Sequence, residues 1–136
     1  MIRRVFKPVA IAMLVIAATQ AVAFRSVNNQ KVTPINQYEF EVLGQPGSRK
    51  NDFWCAIGDF FFRQRAPWQT RIYVKTGIGQ GVTERSNNAV VFTLDPEASG
   101  VEIYTSNLIL NELVEGRGRS LTASYDECDR YLLRYF

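Results

Sequence analysis

The chain contains no histidine. Without an imidazole there can be no Ser-His-Asp or Cys-His catalytic set, and the side chain that most often shuttles protons near neutral pH is missing. Cysteine is almost as scarce, Cys55 and Cys128 being the only two. They do not form a Cys-x-x-Cys redox pair, and once they are joined to each other zinc would have carboxylates alone as ligands. Surplus charge is lacking too. The chain has 16 basic and 13 acidic residues, and Arg3, Arg4 and Lys7 account for the whole excess. Beyond them the balance is even, so the net positive charge that displaces counterions from phosphates is absent and nucleic acid is not an expected partner. Long apolar runs are confined to Val9 to Ala18, which falls short of the ~20 residues of a membrane-spanning helix.

That single run has the form of an export leader. MIRRVFKPVAIAMLVIAATQAVAF places three basic residues before the apolar stretch and ends in Ala21-Val22-Ala23, with small residues where a signal peptidase reads them. We expect a signal peptide over residues 1–23, one domain over residues 24–136, and no stable membrane insertion after cleavage. RRVFK partly matches the twin-arginine signal and is equally ordinary for general secretion, so both routes stay open. Export to the periplasm or cell exterior places the cysteines in an oxidising compartment, where pairing of Cys55 with Cys128 is the expectation. Closing so long a loop stabilises the fold by roughly 4 kcal/mol in the chain-entropy model.

Along the domain, QYEFEV alternates Tyr38, Phe40 and Val42 with Gln37, Glu39 and Glu41, which reads as a strand with one wet face. After the turn GQPGS, Phe53, Trp54, Ile57, Phe60 and Phe61 share one helical face, with Asp52, Asp59 and Arg63 opposite. This predicts a helix from about Asn51 to Arg65 with Asn51 as N-cap and Cys55 and Phe62 on its flank. TRIYVKT and NAVVFTL are β-rich and should pair as a hairpin across residues 76–87. LILNELV fits a strand or a short helix, with Leu108, Leu110 and Val114 on one face favouring the strand, and GRGRS breaks the chain. Leu121, Tyr125, Cys128, Leu132 and Tyr135 then form the seam of a last helix whose Cys128 meets Cys55. The expected architecture is α+β: a small antiparallel sheet of about four strands, with two helices on one face joined by the disulfide.

The segments FEVLGQPGSRKNDFWCAIGDF, RIYVKTGIGQGVT, VVFTLDP and SLTASYDEC, in that order, resemble a family of small exported alphaproteobacterial proteins with no assigned function. The resemblance implies export and a paired-cysteine layout, and no activity. The tail DRYLLRYF extends beyond that pattern.

Three constellations bear on function. Gly77, Gly79 and Gly81 in the hairpin loop could expose backbone N–H groups as an anion nest, with Arg85 adding charge. Arg117 and Arg119 in EGRGRS could join Arg85 in holding a carboxylate or phosphate. The acids of DECD lack calcium-loop spacing and diverge on a helix, so no metal is expected there. No cofactor is expected either. The reading is therefore a non-catalytic binding or envelope accessory protein, its partner an unknown protein or a small anionic ligand, with contact loops at 76–87 and 116–120. The alternative is a small carboxylate-based hydrolase of an envelope glycan, for which Glu84, Asp95, Glu97 and Glu102 are the acids to inspect.

Overall fold

The computed structural model describes residues 23–105 and 112–132. They form an α+β domain around one antiparallel sheet. Its strands are β1 (Phe24–Arg25), β2 (Lys31–Pro34), β3 (Glu39–Leu43), β4 (Arg71–Gly79), β5 (Ala89–Thr93) and β6 (Gly118–Ser120), in the order β1-β2-β3-β5-β4-β6. The expected pairing of TRIYVKT with NAVVFTL is present as β4–β5. Strands β1, β2 and β6 are additions to what the sequence shows, and β6 occupies GRGRS, where a chain break was expected. The segment expected as a strand, LILNELV, lies largely outside the described residues, and its last three residues carry no strand.

Alternation along the central strands builds the core. Phe40 pairs with Phe92, Val42 with Val90, and Val74 with Phe92, so these side chains project together onto helix α1 (Lys50–Arg63). There they meet Phe53, Trp54, Ile57, Phe60 and Phe61 in one buried cluster, as the periodicity of the helix predicts.

The start of α1 differs from expectation. Its N-cap is Arg49, not Asn51, and the work is done by Asp52, whose carboxylate accepts the Arg49 N–H at 2.8 Å. Asp52 also accepts from the Tyr131 hydroxyl. Asp59, expected on the solvent face, is buried, accepting Val27 N–H at 2.8 Å and Arg63 Nε–H at 3.2 Å. Residues 52 to 61 are buried without interruption because the sheet, the segment after β1 and the C-terminal helices wrap α1.

The other end of α1 closes with a Schellman motif: Ala66 N–H donates to Phe61 O and Arg65 N–H to Phe62 O. The residue that must turn left-handed there is Arg65, at φ 58°. Glycine takes that conformation freely, whereas a residue with a Cβ is disfavoured by about 1 kcal/mol.

Over the described residues the C-terminal seam folds as two short helices instead of one, α2 (Leu121–Asp126) and α3 (Asp129–Leu132), and Tyr135 lies outside the described residues. Ser120 caps α2 by accepting Ala123 N–H at 3.1 Å. Cys128 sits in the link between them, fully buried, and is bonded to Cys55 with a Cα–Cα distance of 4.8 Å. The disulfide thus joins α1 to the α2–α3 corner. One helical turn along α1 from Cys55 stands Gly58, where a Cβ would lie 2.7 Å from Tyr125 N. Its bare backbone is what lets α2 come this close.

Candidate functional site

The second face of the sheet is not wet. All five residues of β3 and all five of β5 are buried, because two loops fold over that face, and each is held by a glutamate that the alternation pattern assigns to solvent.

Glu41 is fully buried and accepts the backbone N–H groups of Val82 and Thr83 as well as the Thr83 hydroxyl. An anion nest therefore exists in the glycine-rich loop, but its anion is the protein's own carboxylate. Gly81 N–H closes the loop on Ser86 O at 2.7 Å, and a Cβ at Gly81 would stand 2.1 Å from Glu84 O. Gly77 and Gly79 belong to β4, where Gly77 is pressed against Leu113 O. Residues 80–87 enclose an open cleft of about 750 Å³. On its rim Val82 is 66% exposed, and Arg85 is exposed with no ion pair among the described residues.

Glu39 holds the second loop. It is ion-paired with Lys75 and accepts from Asn36 Nδ2 at 2.6 Å and Ser99 Oγ at 3.0 Å. Burial by itself raises its pKa, but the hydrogen bonds from Lys75, Asn36 and Ser99, with the charge of Lys75, outweigh burial and hold the carboxyl below its ordinary value. Ser99 also bonds the Thr93 hydroxyl at 2.7 Å, pinning residues 95–100 to β5.

Arg117 and Arg119 do not join Arg85 in the cleft of residues 80–87. Arg117 is buried, its guanidinium 5.7 Å from the Tyr104 ring centroid. Arg119 lies 5.3 Å from the Trp54 ring centroid and donates to Ala123 O at 2.9 Å and to Glu127 at 3.1 Å. Arg119 ties β6 to α2, and Arg117, whose carbonyl accepts Val74 N–H, sits at the β4–β6 edge.

Of the four acids, Glu84 is ion-paired with Lys31, and Glu102 is exposed. Asp95 and Glu97 do share a cleft of about 650 Å³ with Arg71, Tyr73, Leu94 and Ile103. Both are exposed, and Asp95 accepts Ala98 N–H at 3.1 Å. Among the described residues no three His, Cys, Asp or Glu side chains gather into a metal site, and no helix is long and apolar enough to cross a membrane.

A third surface escapes sequence reasoning. Phe62 stacks on Tyr125 of α2 at 4.3 Å, and Trp68 approaches Phe62 at 5.5 Å. Burial raises the Tyr125 pKa above its ordinary value. Phe62, Arg63, Arg65, Ala66 and Trp68 line a cleft of about 530 Å³. Its one trace in the sequence is the position of Phe62 off the apolar face of α1.

Comparison with family models, with curated proteins and with solved structures finds no match.

Proposed function

We propose that the protein is an exported, non-catalytic binding module that presents loop 76–87 to a protein or small anionic partner in the cell envelope. The supporting observation is the grip of buried Glu41 on Val82 and Thr83. It fixes the loop backbone on the sheet and leaves Val82 and Arg85 outward, so little ordering cost remains to be met on binding. An apolar side chain beside a guanidinium suits a partner with a carboxylate or phosphate next to an apolar group. Segment 116–120 takes a supporting part in this reading, since its arginines are engaged within the fold. The leader-like residues 1–23 and the closed Cys55–Cys128 bond accord with an oxidising compartment.

The test is affinity capture from envelope extract with the wild-type domain and with a Val82→Ser/Arg85→Gln double variant. A partner retained by wild type and lost by the variant supports the reading. Identical captured sets remove the loop from it.

The Asp95–Glu97 cleft favours one rival, a carboxylate-based glycan hydrolase. It requires turnover of an envelope glycan that Asp95→Asn and Glu97→Gln each abolish.

A further inference from the structure

The end of α1 combines three features that the packing of the fold does not call for. Phe62 and Trp68 remain 37% and 45% exposed beside each other, although a buried core lies directly under the helix. Tyr125 stacks beneath Phe62 at an interplanar angle of 24°, which fixes that ring in place. The left-handed position of the Schellman motif holds Arg65 instead of glycine, so a disfavoured backbone conformation carries a charged side chain.

Neutralising the helix dipole does not explain Arg65. Arg63 already stands in the last turn, oriented by the bond from its Nε to buried Asp59. Arg65 is exposed and has no ion pair among the described residues. Strain retained without a structural return points to use of the side chain.

From this we infer that the cleft of Phe62, Arg63, Arg65, Ala66 and Trp68 is a binding site for an acidic sugar unit, a pyranose bearing a carboxylate. The exposed aromatic faces accept the apolar C–H face of the ring, whose hydrogens carry partial positive charge toward the negative π-face. The Arg65 guanidinium donates paired N–H bonds to the carboxylate. The open cleft of about 530 Å³ falls in the size range of small-molecule sites. An acyl chain would call for apolar walls, and here two of the five lining residues are arginines. This site is separate from loop 76–87 and stands whether or not that loop binds a partner.

The test uses trigalacturonate as the acidic probe and maltotriose as its neutral counterpart. Trp54 is fully buried while Trp68 is exposed, so acrylamide quenching of tryptophan fluorescence reports on Trp68. Trigalacturonate is expected to protect Trp68 from acrylamide, with an affinity that falls as salt rises. Maltotriose should bind about tenfold or more weakly. Arg65→Gly relieves the backbone strain, so it should unfold at no lower temperature than wild type and yet bind trigalacturonate about tenfold more weakly. Trp68→Ala removes the fluorescent reporter, so its binding is read by titration calorimetry, where it should be abolished with the fold intact by circular dichroism. Equal affinity for the two probes, or unchanged binding by Arg65→Gly, overturns the inference. So does binding to phosphatidylglycerol vesicles without binding to trigalacturonate, or a sedimentation result in which the cleft is covered by self-association.

Discussion

Gly58 and Tyr125 meet backbone to backbone: a single added carbon at position 58 would stand 2.7 Å from the Tyr125 amide nitrogen. Intrinsic helix propensity favours alanine over glycine in a helix interior by about 1 kcal/mol. The contact reverses that preference, since α2 is also held by the disulfide one turn away and cannot retreat freely. Gly58→Ala should therefore destabilise the protein by about 1–3 kcal/mol, measured by urea unfolding. An unchanged or higher midpoint would show that α2 shifts at no cost.

Glu41 cannot be replaced by its own amide. The two N–H groups and one hydroxyl that it receives need acceptors on both oxygens, whereas glutamine offers one acceptor oxygen and an NH2 group that only donates. Glu41→Gln should cost about 1–3 kcal/mol through a donor left facing a donor. Amide exchange at Val82 and Thr83 should accelerate well ahead of exchange in β5, reporting release of the loop. Exchange that stays uniform would mean the loop is held by something else.

The carboxyl of Glu39 sits below its ordinary value of 4.5. A group with a depressed folded pKa contributes stability that is present above the unfolded pKa and is lost as pH falls through the folded one. Stability should thus be maintained down to about pH 4.5 and decline below it as Glu39 takes up its proton. Lys75→Gln should lower stability at pH 7 and flatten that decline, as read from thermal midpoints between pH 3 and pH 7. An equally steep decline in the variant would assign the acid response to other carboxylates.

Cys55 and Cys128 are both wholly buried. A reductant such as dithiothreitol should leave the bond intact in buffer and cleave it only when denaturant is added, as followed by thiol titration. A Cys55→Ala/Cys128→Ala variant should lose roughly 4 kcal/mol of stability, the loop-closure contribution. Rapid reduction of the native protein would indicate that the α2–α3 corner opens readily.

Periodicity made the aromatic helix, the β4–β5 hairpin and the pairing of the cysteines legible, because each rests on a repeat or a count that needs no tertiary knowledge. Alternation assigns Glu39 and Glu41 to solvent, and the fold buries them for a physical reason. Alternation reports polarity, and a carboxylate with its hydrogen bonds satisfied by distant loop residues can be buried without a sequence mark. The same holds for Asp52 and Asp59, whose partners Tyr131 and Val27 lie far along the chain. Strands of two to four residues such as β1, β2 and β6 are too short for alternation to register, and Pro34 and Gly118 disguise them further. Arg117 and Arg119 read as loop cations because a Gly-Arg-Gly-Arg string has turn composition; pairing with β4 overrides it. The left-handed turn at Arg65 breaks the glycine preference from which such turns are recognised.

Among the described residues the sheet ends on one side in a strand of two residues and on the other in a strand of three. So few free rungs give a neighbouring molecule little to add itself to, and growth into fibrils by edge pairing is blunted.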